Sequence, residues 1–359
     1  MVIARSPVRI SFGGGGTDIS TYYLRHGGRV VSAAVSRYCH VMASRTDTGA
    51  IHITSSDYAI DEWIAPGQLP RVAEPMMLPK AVTARFGRSG AYATGLELFT
   101  TSDVPPGTGL GSSSAMACAL VQALSSLSGQ DLERDRIADT ACTVEIDDIG
   151  LPIGKQDQYA SAFGGLNIID FSDKGVVVTP LDLPPDVVSA LDTRLMLFST
   201  GKSRNSASIL RRQRRDSGSD PAVITSLHRI KMLADDMCDA LLRHDLDGFG
   251  ALLDRGWREK KRLSSSISTS AIDGYYQAAL DAGALGGKIT GAGGGGFLLV
   301  YAPPARQPQV RRALSTLGLS ELPFRFDNDG TQLLTGCATT SLPHTAPYQL
   351  REEPIYHAD

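Results

Sequence analysis

The pattern of apolar and polar positions divides the chain into elements of two kinds. Residues 8–12 (VRISF) and 29–44 (RVVSAAVSRYCHVMAS) alternate or run apolar with β-branched side chains, which predicts strands, continued by AIHIT at 50–54. Residues 76–86 suit a helix and LELFTTS at 96–102 a strand. From Ser112, the run SSSAMACALVQALSSLSG keeps a helical pattern that ends at Gly129. Asp131 is expected to cap a further helix through about Asp147, with Gly150 and Pro152 as stop signals. LNIIDF and VVVTPL, within 166–181, read as a strand pair joined by a Ser-Asp-Lys-Gly turn, and RLMLFST at 194–200 as another strand. Helical patterns fill about 205–216, 222–244, 246–263 and 271–283. GFLLVYA (296–302) reads as a buried strand, residues 307–318 as a helix, and LPFRFD (322–327) as a last strand.

Strands, two helices, more strands, several helices and a closing strand-helix-strand do not make a steady βαβα alternation. An α+β fold with a mixed or antiparallel sheet is therefore expected. Pro184-Pro185 marks the best boundary, dividing residues 1–185 from 186–338, and residues 339–359 lack periodicity and form an extension.

Charge narrows the classes. Across 359 residues, 35 Lys+Arg oppose 38 Asp+Glu, which argues against a nucleic-acid binder, whose surface or stripe would be net basic. The one basic run, Arg211 to Arg215, reads as a solvated helix face. No apolar stretch approaches the ~18 residues of a membrane helix, and the N-terminus lacks the parts of a signal peptide. The 5 cysteines are widely spaced with no C-x-x-C pair, so disulfides and structural zinc are both poorly supported. A soluble cytoplasmic protein, monomer or homodimer, is expected.

Glycine changes the picture, because of where it sits. Of 37 glycines, fourteen fall in three clusters: Gly13 to Gly16, then Gly107/Gly109/Gly111, then Gly286/Gly287/Gly291 with Gly293 to Gly296. Clustered glycine means close backbone approach or positive φ. Gly201-Lys202-Ser203 ends like a phosphate loop, but Met196 stands where that motif needs its first glycine. Gly291 to Gly296 spells G-x-G-x-x-G, yet a strand follows it rather than a helix. Pro105-Pro-Gly-Thr-Gly-Leu-Gly-Ser-Ser-Ser114-Ala differs, since alternate glycines lead from a strand into the start of a long helix. Unpaired amides and the helix dipole there favour an anion, above all a polyphosphate. The plain alternative is a tight turn with serine N-caps. Taken singly, Asp157 beside its Gly-Gly turn could be a helix cap, and Glu145 a surface carboxylate.

Together these segments resemble the GHMP kinase superfamily. The first motif is Pro7-Val-Arg9-Ile-Ser-Phe-Gly-Gly-Gly-Gly16-Thr-Asp18, the second Pro105 to Ala115, the third Lys288-Ile-Thr-Gly291-Ala-Gly293-Gly-Gly-Gly296. They occur in the family's order across residues 7 to 297. Within the superfamily the chain most resembles the D-glycero-D-manno-heptose 7-phosphate kinases, in its all-glycine run before Thr17-Asp18, its Gly154-Lys-Gln-Asp-Gln-Tyr159 segment and Thr200-Gly-Lys-Ser-Arg204. Galactokinases carry Glu-His where this chain has Gly15-Gly16.

The resemblance implies a two-domain fold, with an N-terminal ribosomal protein S5 domain 2-like half and a C-terminal ferredoxin-like half. It implies ATP and Mg²⁺ as cofactors and a sugar phosphate as the small-molecule partner, phosphorylated at the anomeric C1 hydroxyl to a 1,7-bisphosphate. Asp157 and Arg9 would be catalytic. Pro106, Gly107, Thr108, Gly109, Leu110, Gly111, Ser112, Ser113 and Ser114 would bind ATP, with Ser113 (or Ser114) and Glu145 holding the metal. Gly15, Gly16, Thr17, Asp18, Lys202, Ser203, Arg204, Gly293 and Gly294 would contact the acceptor. The third-motif glycines also read as packing glycines. A sugar 1-kinase for fucose or a deoxysugar, and a non-catalytic sensor on the same fold, are the other readings.

Overall fold

The computed structural model describes residues 1–201 and 206–335. They form two sheets. The first follows the path Gln332–Thr335, Val2–Gly13, Gly28–Arg45, Leu96–Ser102, Ile51–Ser55, Ile60–Ile64, with Leu166–Ser172 and Gly175–Pro180 branching from the long strand Gly28–Arg45. That strand is 18 residues long and divides its second edge between two partners. Cys39–Arg45 pairs with Leu96–Ser102, and Gly28–Ala33 pairs with Leu166–Ser172. Ile51–Ser55 runs parallel to Leu96–Ser102 while its other neighbour is antiparallel, so the sheet is mixed.

The helix Ser112–Leu127 packs on Val2–Gly13 and Gly28–Arg45. Its residues are small or apolar on every side, and a helix of that kind has to be buried all round. Fourteen of its sixteen residues are buried.

The second sheet is antiparallel in the order Ser320–Glu321, Leu195–Ser199, Phe297–Tyr301, Gly286–Ile289. Helices Pro221–Leu242, Leu246–Arg262, Ser270–Asp281 and Gln307–Thr316 accompany it, around a core that includes Trp257, Phe198, Leu298 and Val300. In Leu246–Arg262 the buried stripe is Phe249, Leu252, Leu253 and Trp257, and Lys260 continues it. Gly286 and Gly287 belong to this packing, because a Cβ would stand 2.0 Å from the Gly250 carbonyl oxygen or 2.3 Å from that of Leu299.

Several expectations are corrected. Asp131 caps nothing; the helix begins at Arg134 with Glu133 at the N-cap, and after Cys142 it widens into a π-helical turn over Thr143–Asp148. LPFRFD is not a strand, since Pro323 has no amide to donate and Phe326 makes one isolated bridge to Val35. The last strand of the described residues is Gln332–Thr335, which returns to pair with Val2–Gly13 in the first sheet. The expected boundary, Pro184-Pro185, falls between Gly175–Pro180 of the first sheet and Leu195–Ser199 of the second, and it opens the helix Pro185–Arg194, with proline in the first turn where its missing amide costs nothing. Helices Ser20–His26 and Gln156–Phe163 and strands Ile60–Ile64 and Gly286–Ile289 add to the expected elements. Of the basic run, Gln213 turns inward from the helix Ser206–Asp216. No helix of the described residues is long and apolar enough to cross a membrane.

Candidate active site

A cleft of about 380 Å³ lies between the two sheets and is lined by residues of all three glycine clusters. Arg9, on Val2–Gly13, is buried at 3% exposure. Its Nε donates to Asp157 Oδ1 at 2.8 Å, and Nη2 stands 2.6 Å from the same oxygen. Nη1 donates to the Gly109 carbonyl at 2.8 Å, and the Arg9 amide to that of Leu110 at 2.9 Å. One guanidinium thus joins the carboxylate to the glycine loop. Gly111 has φ +75°, which favours glycine, and a Cβ there would lie a tight 3.3 Å from both Arg9 Cζ and Asp157 Cγ.

Gly111 is also the N-cap of Ser112–Leu127, and no side chain caps that helix. The serines therefore do not act as caps, and the first helical amides open toward the cleft. Pro106, Gly107, Gly109, Gly111 and Ser112 to Ser114 line it. Thr108 and Leu110 do not: the Thr108 hydroxyl donates to the Pro105 carbonyl, and Leu110 is fully buried in the core.

Glu145 sits on the π-helical turn, a distortion common at functional sites. It is completely buried. Ser113 Oγ donates to its Oε1 at 2.6 Å and Gln158 Nε2 to its Oε2 at 2.6 Å. Burial pushes its carboxyl above the usual range, against hydrogen bonds from Ser113, Ser114 and Gln158, and Asp157 pushes the same way. It makes no ion pair among the described residues. A buried carboxylate with neutral partners, beside an exposed hydroxyl, is a donor set that fits Mg²⁺. No group of three His, Cys, Asp or Glu stands ready to hold a metal among the described residues, so such an ion would complete its shell with phosphate or water oxygens.

Asp18 is buried beside Asp157. Its Oδ1 accepts from the Gly16 amide at 2.9 Å and its Oδ2 from the Gln156 amide at 3.3 Å. Burial raises its carboxyl above the usual range, and Asp157 adds to the shift. Gly15, Gly16 and Asp18 line the cleft. Thr17 does not: its hydroxyl bonds to the Gly14 carbonyl and to both the carbonyl and the amide of Arg29, so it braces the loop. Lys202, Ser203 and Arg204 lie outside the described residues.

The third cluster is mainly a contact between loops. A Cβ on Gly291 would fall 2.4 Å from Gly109 Cα, and one on Gly296 would fall 2.3 Å from the Thr108 carbonyl oxygen. Gly293 lines the cleft, whereas the Gly294 amide is taken by the Ile267 carbonyl at 2.8 Å.

Two lysines were given no role in the sequence reading. Lys260 donates to the Gly291 carbonyl; burial depresses its ammonium to about 8, Arg9 lowers it further, and Asp18 and Asp157 oppose the shift. Lys288 donates to the carbonyls of Ser11 at 2.7 Å and Phe12 at 3.2 Å, and burial holds it well below the usual range. Lys260 had a signal, a lysine in register with a buried helical stripe. The far end of the cleft, with Tyr58, Met76, Leu78, Pro79 and Val104, had none.

Comparison with known proteins fits this geometry. The family profile for the GHMP kinases N terminal domain matches residues 77–165, and that for GHMP kinases C terminal matches 237–318. D-glycero-alpha-D-manno-heptose 7-phosphate kinase of Campylobacter jejuni is 31% identical over 337 residues, 91% of this chain and 97% of that protein. The chain belongs to the GHMP kinases. As such it is an ATP-dependent sugar kinase, a phosphotransferase with an alcohol acceptor. The crystal structure of a D-glycero-D-manno-heptose 1-phosphate kinase from Bacteroides thetaiotaomicron superposes on this GHMP kinase with a TM-score of 0.79 at 29% identity, covering 94% of this chain and all of that one. The bifunctional fucokinase/GDP-fucose pyrophosphorylase of Arabidopsis thaliana is 29% identical over 321 residues, 85% of this chain and 30% of that larger protein.

Proposed function

We propose that the acceptor is D-glycero-D-manno-heptose 7-phosphate, phosphorylated at the anomeric C1 hydroxyl to give the 1,7-bisphosphate for nucleotide-activated heptose synthesis. The observation that carries this reading is the likeness to a heptose 7-phosphate kinase along 97% of that protein. The fucokinase likeness supports the second reading, a free-sugar 1-kinase, but it spans 30% of its partner.

Phosphoryl transfer asks for positioning and charge more than for covalent chemistry. The C1 oxygen attacks the γ-phosphorus, its proton passes to Asp157, and ADP departs. Arg9, bonded to Asp157, holds that carboxylate in place and faces the charge that develops during the transfer. The amides at the start of Ser112–Leu127 hold phosphate oxygens, and the apolar end of the cleft takes the adenine. Mg²⁺ held by Ser113 and Glu145 would supply the charge that offsets the polyphosphate. Ser113 is preferred to Ser114 because it is exposed to the cleft while Ser114 is buried. Asp18 orients acceptor hydroxyls, and Lys202 and Arg204 are assigned the acceptor's own phosphate.

The test is purified protein with ATP and Mg²⁺ against heptose 7-phosphate, free heptose, fucose and galactose, following ADP release and the anomeric phosphate by NMR. Turnover of a free sugar faster than heptose 7-phosphate would reject the substrate reading. Replacing Lys202 and Arg204 together should raise the KM for a phosphosugar and leave that for a free sugar unchanged.

A further inference from the structure

Buried polar side-chain atoms in folded proteins nearly always have a hydrogen-bond partner. Two atoms on the wall of the cleft beside Asp157 do not. Ser11 Oγ and Gln156 Oε1 are both buried and unpartnered among the described residues. They come from separate elements, the strand Val2–Gly13 and the first turn of Gln156–Phe163, and both residues line the cleft. They also converge. A Cβ built on Gly15 would stand 3.6 Å from Ser11 Oγ and 3.9 Å from Gln156 Oε1, with Gln156 Nε2 at 3.7 Å. Gly15 is not among the glycines with positive φ, and those distances are ordinary van der Waals contacts, so neither strain nor collision demands glycine there. What the glycine leaves is space between the two polar groups.

The backbone of this corner is held on every side. Lys288 donates to the Ser11 carbonyl, and Asp18 accepts from the Gln156 and Gly16 amides. The corner is thus shaped before any ligand arrives, which lowers the cost of binding one. Its chemistry also selects. The Gln156 side chain offers a carbonyl acceptor and an N–H donor, the adjacent Asp18 carboxylate accepts, and the serine hydroxyl both donates and accepts. Such a mixed set of donors and acceptors suits hydroxyl groups, which also both donate and accept.

We propose that Ser11 and Gln156 are the specificity-determining residues for the acceptor sugar, their side chains bonding ring hydroxyls next to the one phosphorylated, in the space left open by Gly15. This rests on the acceptor lying beside Asp157, as in the proposed function, but not on which sugar it is. A site built to bond a hydroxyl rejects the analogue that lacks it, because its own buried groups are then left unpaired.

The test uses the full-length protein and whichever acceptor it turns over best, with that acceptor's monodeoxy analogues. Ser11→Ala, Gln156→Leu and Gly15→Ala are each assayed for kcat, acceptor KM and ATP KM, with thermal melting to report folding. Each variant should raise the acceptor KM roughly ten- to a hundredfold while ATP KM stays within twofold. Ser11→Ala and Gln156→Leu should each lose discrimination against one deoxy analogue, a loss that structural damage would not reproduce. The proposal is overturned if acceptor KM and the deoxy profile stay at wild-type values, or if kcat falls with acceptor KM unchanged, which would mean that these residues only position Asp157. Failure of heptose 7-phosphate as a substrate would reject the proposed function and leave this test intact.

Discussion

Gly291→Ala tests how closely the second and third glycine loops must meet. Gly291 has φ +65°, where an alanine costs about 1–2 kcal/mol. The added methyl would sit 2.4 Å from Gly109 Cα and 2.9 Å from the Gly109 oxygen. Carbon atoms pack at about 3.5–4.0 Å, so the loops must part by about 1 Å. Gly109 carries the carbonyl that receives Arg9 Nη1, and Arg9 holds Asp157, so the displacement reaches the reacting groups. A misplacement of about 1 Å costs about a hundredfold in rate, equal to about 2.7 kcal/mol of barrier. The assay is steady-state ADP release with both substrates varied, alongside thermal melting. Gly90→Ala is the control, with a similar φ of +76° and nothing within 4 Å of its Cβ. It should lose only the about 1–2 kcal/mol of the φ cost and keep full activity. The reasoning fails if Gly291→Ala retains kcat/KM within threefold of wild type, or if Gly90→Ala loses as much activity.

Asp157→Asn should lower kcat by about 10²–10⁴ while ATP affinity by calorimetry changes little; unchanged turnover would remove Asp157 from the proton transfer. Glu145→Gln should raise the Mg²⁺ concentration for half-maximal activity at least about tenfold without lowering the melting temperature, since an amide replaces a costly buried charge. An unaltered Mg²⁺ titration would remove Glu145 from the metal site. Lys260 has a native pKa of about 8 against 10.5 in the unfolded chain, so between those values the unfolded state binds more protons and stability rises with pH. Denaturant unfolding should therefore show wild type gaining about 3 kcal/mol relative to Lys260→Met from pH 7 to 10.5, and parallel pH profiles would contradict the burial of that charge.

The parts of the site legible in the sequence are those whose chemistry is local. The run from Gly107 to Ser114 carries its own turn-to-helix signal, and the long apolar helix after it could only be buried. Arg9, Glu145 and Asp157 are bare letters until the fold brings them together, and they were read through the order of the motifs. Misreadings followed where tertiary packing assigns the job. Thr17 and Gly294 stand within binding motifs, yet their polar groups are consumed by Arg29 and Ile267. Lys260 shares the phase of a buried helical stripe, a signal that emerges only when that helix is placed against the third glycine loop. Ser11 and Gln156 carry no sequence signal, because being unpartnered is a property of the surroundings. LPFRFD had the composition of a strand, and its proline decided otherwise.

The strand Gln332–Thr335 has a bearing on how the molecule is made. It pairs with the first strand, with Arg5 bonded to the Gln332 side chain and Ser6 to Thr331. During vectorial synthesis more than three hundred residues separate the emergence of these two segments. Until then the strand bearing Arg9 keeps one bare edge, the kind of edge that templates aggregation. A nascent chain released before residue 332 would carry Arg9, Glu145 and Asp157 on an unfinished ladder.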